Sequence, residues 1–139
     1  MARDLFAAIS YLHQSSILHR DIKPRNLLLK QERPTLKWAL GDFGCAVDVN
    51  VEEVGHSVGT PEYLPSDVSS DTVQHSRATD VYSCGMTLYK GLTRQFPNSS
   101  HGKEVLGDDE DGILRIINSC LAKKSDDRPN AKEASEMIW

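Results

Sequence analysis

His19-Arg20-Asp21-Ile22-Lys23-Pro24-Arg25-Asn26 is the stretch on which the reading of this 139-residue chain turns. It runs into the apolar Leu27-Leu28-Leu29, and Asp42-Phe43-Gly44 and Gly59-Thr60-Pro61-Glu62-Tyr63 follow. Asp21 and Lys23 alternate along an extended loop and can meet one substrate group from the same side. Asp21 can accept a hydroxyl proton, and Lys23 can neutralise a phosphate. Asn26 and Asp42 offer two hard oxygen ligands, which suits Mg²⁺ held together with substrate phosphates rather than in a full protein cage. Gly44 permits a backbone angle that would aim the Asp42 carboxylate. Together these residues form a kit for metal-assisted phosphoryl transfer, in which positioning and charge neutralisation supply most of the catalysis.

Around this stretch the apolar pattern is mostly helical. Leu5, Ile9 and Leu12 predict a helix over residues 3–13. Ile17-Leu18, Leu27-Leu28-Leu29 and Leu36 to Leu40 read as short strands, with a turn over Lys30 to Pro34. Residues 41–79 carry little periodicity and read as a long loop with at most a short helix. Residues 79–92 are apolar on both sides, with Val81, Cys84, Gly85, Leu88 and Leu92 on one face, which predicts a central buried helix. Ile113, Ile116, Ile117, Cys120 and Leu121 form another stripe. Residues 130–138 form a last helix, with Asn130 and Glu133 at capping-box spacing. The expected fold is mainly α with a few short β-strands.

Sixteen Lys+Arg stand against twenty Asp+Glu, a net charge of −4. That balance argues against a strongly basic nucleic-acid or anionic-membrane binder. No apolar run approaches the ~20 residues of a membrane span, and the first residues lack the apolar stretch of a secretory signal. Cys45, Cys84 and Cys120 are an odd count without a CxxC pair, which points to a reducing, intracellular setting (cytoplasm or nucleus) rather than a disulfide or zinc framework.

The order His-Arg-Asp-x-Lys-Pro-x-Asn, Asp-Phe-Gly, Gly-Thr-Pro-Glu-Tyr resembles that of the eukaryotic-type protein kinases, serine/threonine type. The resemblance covers nearly the whole of residues 1–139. It implies the family's C-terminal catalytic lobe (α+β), using ATP and Mg²⁺ on a protein serine or threonine. By position, Asp21 is the implied catalytic base and Lys23 the contact to the transferred phosphate. Asn26 and Asp42 would hold Mg²⁺, and Leu28 would lie beneath the adenine. Thr60 would bond the catalytic loop, favouring serine/threonine over tyrosine substrates. His19 and Phe43 would stack in the core as packing residues, with Gly44 completing the motif. Asp80 would bond the backbone around His19 and Arg20. Arg128 would pair with Asp67, the acidic residue that closes the activation segment.

Several positions depart from that pattern. The usual Ala-Pro-Glu reads Pro65-Ser66-Asp67, so Asp67 has one methylene less reach toward Arg128. Arg25 brings a positive charge that disfavours arginine just upstream of the target hydroxyl. His56 stands at the usual activation phosphosite, which makes Ser57 the better acceptor, with Arg20 as the natural phosphate partner. Nothing before His19 contains a lysine or matches Gly-x-Gly-x-x-Gly, so the lobe that covers ATP is expected to be absent from this polypeptide. A truncated, catalytically inactive kinase-like module is the competing expectation. Its bared lobe interface would be covered by a partner. An unrelated Mg²⁺-dependent phosphohydrolase would share the carboxylates but would not need the segment 59–63.

Overall fold

The structure is a computed structural model and describes residues 1–55, 58–70, 74–97 and 112–138. Ser57, His56 and the acidic run 108–111 lie outside the described residues.

The chain opens with α1 (Ala2–Gln14), whose Leu5, Phe6, Ile9 and Leu12 are buried along one face. Two separate antiparallel strand pairs follow. β1 (Ile17–Leu18) pairs with β4 (Val47–Asp48), and β2 (Leu27–Glu32) pairs with β3 (Thr35–Leu40). The described remainder is helical: a single turn α2 (Ser66–Ser69), the long α3 (Arg77–Thr93), α4 (Ile113–Cys120) and α5 (Ala131–Glu136). α1 packs on α5 and α3, and α3 packs on α4. Their shared core holds Phe6, Ile9, Ile22, Val81, Cys84, Leu88, Ile117, Cys120 and Ala134, each nearly or fully buried. Burial pushes the Cys84 thiol up and raises that of Cys120 to about 12, so both stay protonated and act as small apolar fillers.

Several sequence expectations change at their edges. The turn expected over Lys30 to Pro34 shrinks to Arg33-Pro34, joined by a cis peptide, and both strands run further. Glu32 explains the extension. It takes Lys30 at 3.1 Å and Lys37 of the facing strand at 3.0 Å, so a polar stretch still closes the ladder. β4 lies inside the segment expected to be a loop. Its two residues are too short for periodicity and exist only because Leu18↔Val47 and Ile17↔Asp48 pair. α3 starts two residues earlier than its apolar pattern, because Ser76 caps it. The Ser76 hydroxyl accepts the Thr79 N–H while Thr79 Oγ1 accepts the Ser76 N–H. Leu92 is 52% exposed, past the end of the core. The Asn130–Glu133 box forms as expected, with bonds of 2.9 and 2.8 Å.

At Gly85, α3 lies close against the end of α4. A Cβ there would sit 2.8 Å from Cys120 Cβ and 3.2 Å from Leu121 Cδ2. Gly85→Ala is therefore expected to lower stability by about 1–3 kcal/mol, although alanine is the better helix former. Gly91→Ala, also in α3, meets only the flexible end of Met1 at 3.3 Å and is expected to raise stability by about 0.5–1 kcal/mol. Urea denaturation of the two variants reads the contrast.

Candidate functional site

Residues 19–26 leave β1 and enter β2, so strand pairing holds both ends of the loop. Its first two residues are also fixed by α3. Asp80, in the first turn of that helix, is 1% exposed. Its Oδ2 accepts the His19 N–H at 2.9 Å and its Oδ1 accepts the Arg20 N–H at 2.9 Å. His13 Nε2, from the last turn of α1, lies 3.0 Å from the same Oδ2. One buried carboxylate thus joins two helices to the loop. Burial of a charge is tolerated there because its lone pairs meet fixed donors.

Two backbone features let the loop turn here. Arg20 adopts φ +67°, unusual for a residue with a side chain. It is held there by its N–H on Asp80 and by Nε donating to the Cys45 carbonyl. Gly59 has φ +93°, and a Cβ on it would lie 2.2 Å from the Arg20 carbonyl oxygen. The segment carrying Thr60 can approach the loop only through a glycine. α3 and its approach hold that segment too. Ser83 Oγ donates to the Tyr63 carbonyl at 2.8 Å, and His75 Nε2 lies 3.0 Å from the Val58 carbonyl.

Four of the expected site residues meet. Thr60 Oγ1 donates to Asp21 Oδ1 at 2.7 Å and accepts from Lys23 Nζ at 2.7 Å. Lys23 Nζ is also 3.2 Å from Asp21 Oδ2. Asn26 is buried, and its Nδ2 donates to the Asp21 carbonyl at 2.7 Å. Burial pushes the Asp21 carboxyl up. The hydrogen bonds from Thr60 and Lys23, the Lys23 charge and the Asn26 amide outweigh burial and hold it below its ordinary 3.8. Asp21 is therefore ionised at neutral pH.

Asp42 reaches the site through the backbone. The Gly41 N–H donates to the Asn26 carbonyl at 2.8 Å, which sets Asp42 beside Asn26. Asp42 takes φ +55°, and its Oδ1 accepts the Gly44 N–H at 3.2 Å. Asn26 Nδ2 is spent on Asp21, which leaves the side-chain amide oxygen as the group that could accept or ligate. An amide oxygen and a carboxylate suit Mg²⁺ shared with substrate phosphates. Among the described residues no group of three or more His, Cys, Asp or Glu could hold a metal by itself.

Leu28 sits on β2 opposite Ala39, and its Cδ1 lies 3.2 Å from where a Gly41 Cβ would be. It is 59% exposed, an open apolar floor beside Asn26 and Gly41. His19 is fully buried. The Asp21 N–H donates to its Nδ1 at 3.2 Å, so by network assignment Nε2 carries the proton and donates to the Gly41 carbonyl at 3.0 Å. Both ring nitrogens are occupied in shaping the loop.

Two expectations are corrected. Phe43 does not join the core. It meets His19 edge-on at 5.1 Å between centroids and is 49% exposed, because its far side opens to solvent. Arg128 and Asp67 share an electrostatic influence, but among the described residues no ion pair or hydrogen bond joins them. The Arg128 guanidinium instead donates to the carbonyls of Ala122, Ala78 and Lys123 and lies 4.9 Å over the Tyr82 ring. Asp67 Oδ1 accepts the Val68 N–H at 2.9 Å. The sequence reading missed His13, Ser83 and His75. His13 carried a signal: it stands one helical turn from Ile9, on the apolar face of α1, where a polar residue needs a buried partner.

A family model for the protein kinase domain matches residues 1–139. Over 157 aligned residues the chain is 31% identical to serine/threonine-protein kinase 17A of Oryctolagus cuniculus, covering all of this chain and 39% of that protein. It is 33% identical over 140 residues to the serine/threonine-protein kinase PkaA of Streptomyces coelicolor, covering 90% of this chain and 26% of the relative. It is 39% identical over 88 residues to calcium/calmodulin-dependent protein kinase type II of Caenorhabditis elegans, covering 63% and 12%. The chain thus spans well under half the length of these relatives.

Asp80→Asn puts an amide N–H₂ where a backbone N–H must be accepted. It is expected to cost about 3 kcal/mol in denaturant unfolding. Thr60→Val removes the first hydrogen bond to Asp21, so the Asp21 carboxyl is expected to titrate higher by ¹³C NMR. The sign follows for stability. The wild-type folded value lies below 3.8, so the stabilisation from these contacts is complete above that pH. It is lost as pH falls through the lowered value.

Proposed function

The chain belongs to the protein kinase family, and from that premise we propose that residues 19–63 form the catalytic half of a serine/threonine kinase site. In this reading the γ-phosphoryl group of ATP passes to a serine or threonine hydroxyl of a protein substrate. The observation that carries it is the Asp21–Thr60–Lys23–Asn26 cluster, in which an ionised carboxylate is flanked by an ammonium and a threonine hydroxyl.

Asp21 accepts the proton of the substrate hydroxyl as its oxygen attacks the γ-phosphorus and the bond to the bridging oxygen breaks. Thr60 and Asn26 hold the Asp21 carboxylate in place. Lys23, already at the site, meets the negative charge on the transferred phosphate. Asn26 and Asp42 are the residues that would hold Mg²⁺, which when bound neutralises phosphate oxygens. Leu28 supplies an apolar surface for the adenine ring. The Lys23–Thr60 contact supports serine/threonine specificity. Arg20 supports the phosphate-switch reading of Ser57, since its Nη1 lies 3.9 Å from where a Gly55 Cβ would be.

A second reading, a kinase-like module that binds a partner without turnover, is favoured by the exposed Leu28, Leu29, Leu36 and Phe43. The 139 residues include no Gly-x-Gly-x-x-Gly loop, so the chain alone is proposed to transfer phosphate slowly. The three free thiols support a reducing, intracellular setting. Among the described residues no helix is long and apolar enough to cross a membrane.

Labelling of a serine peptide from Mg²⁺-ATP tests the first reading. Asp21→Asn is expected to lower the rate by about 10²–10⁴-fold, and an unchanged rate would overturn the role of Asp21. No labelling at any concentration of wild-type chain, with peptide binding retained, would establish the second reading.

A further inference from the structure

We propose that His75 is a positioning residue for this site: by holding the Val58 carbonyl it fixes Gly59 and keeps the Thr60 hydroxyl on Asp21 and Lys23. Its bearing on phosphoryl transfer rests on the kinase reading proposed above. Thr60 stands between two unlike neighbours. Downstream, Pro61 has a fixed φ and opens the 3₁₀ turn Pro61–Tyr63. The Tyr63 N–H donates to the Thr60 carbonyl at 3.0 Å, and the Tyr63 carbonyl accepts from Ser83 Oγ at 2.8 Å. That side is stiff by its own construction. Upstream stands Gly59, with φ +93°. A glycine crosses between φ regions at little cost, so alone it leaves the Thr60 backbone free to swing. The close approach to the Arg20 carbonyl requires that glycine, so a stiffer residue cannot take its place. The restraint has to come from outside the segment.

His75 supplies it. The residue is 4% exposed, and its Nε2 lies 3.0 Å from the Val58 carbonyl. A carbonyl oxygen only accepts, so by network assignment Nε2 carries the proton and donates. The backbone that carries the ring is itself anchored. Ser76, next in the chain, caps α3 through its box with Thr79. Asp80, one residue beyond Thr79, accepts the His19 and Arg20 N–H groups. The start of α3 therefore grips both walls of the close approach. Asp80 holds the Arg20 wall, and His75 holds the Gly59 wall.

Three-bond couplings from ¹⁵N and carbonyl ¹³C to the Thr60 methyl carbon test this, because they read the χ1 rotamer with no nucleotide or peptide present. The wild-type chain is expected to hold one rotamer. His75→Leu removes the donor and is expected to give averaged couplings. His75→Gln carries an amide N–H₂ at a reach similar to that of Nε2 and is expected to restore the single rotamer. Gly85→Ala lowers stability away from this segment and is expected to keep it, which separates positioning from lost stability. Should His75→Leu fail to fold, His75→Asn, whose shorter side chain leaves its amide out of reach, is read in its place. In peptide labelling the donor-less variant is expected to be about 10- to 10²-fold slower than wild type. It should slow Thr60→Val no further, since it acts through Thr60. A single Thr60 rotamer without the donor, averaging in His75→Gln, an unchanged labelling rate or a full further loss on Thr60→Val would overturn the assignment. No labelling by the wild-type chain, with the order of rotamers intact, would count against the kinase reading alone.

Discussion

The Asp80 carboxylate is the interaction on which the site depends. It is nearly inaccessible to water and accepts from His13, His19 and Arg20. Removing a carboxylate from water costs several kcal/mol, and only well-placed donors offset that cost. Three parts of the chain must therefore arrive together: the end of α1, the start of α3 and the loop between β1 and β2. Until they do, each is left with an unsatisfied buried group. The loop that carries Asp21, Lys23 and Asn26 is tied in this way to the same helices that bury Phe6, Ile9 and Val81. Core packing and site geometry become one cooperative event.

The second layer of the site is built on close backbone approach. Arg20 takes a positive φ and turns its carbonyl toward Gly59. That contact brings Thr60 against Asp21 and Lys23. Thr60 then relays between them, accepting from the ammonium and donating to the carboxylate. His19 works underneath, with one ring nitrogen on the loop and the other on the strand that leads to Asp42. Asp21, Lys23, Asn26 and Asp42 are thus held in place by the groups around them. Such preorganisation is what the proposed phosphoryl transfer would ask of the chain.

Much of this was legible in the residues, and the exceptions have physical causes. The long helices were visible because Leu5, Ile9 and Leu12, or Ile113, Ile116 and Ile117, recur at helical spacing. Asp21, Lys23, Asn26, Asp42 and Thr60 were visible because their chemistry and order go together. The two-residue β4 was hidden because pairing with Ile17–Leu18 creates it, and nothing local does. The start of α3 was hidden because the Ser76–Thr79 cap is polar and lies outside the apolar pattern. The Arg128–Asp67 pairing was an inference from resemblance. The guanidinium donates instead to three nearby carbonyls. Phe43 shows the limit of hydrophobicity as a guide, since a large apolar ring beside a site can remain half open to solvent.

Amide hydrogen exchange at His19 and Arg20 tests the Asp80 anchor most directly. Both are loop residues, and without the carboxylate their N–H groups would exchange as loop amides do. If Asp80 locks the loop to the core, the two amides exchange as slowly as those of Val81 to Leu88 in α3, only through cooperative unfolding. Exchange of His19 and Arg20 orders of magnitude faster than that helix, in the intact chain, would contradict it.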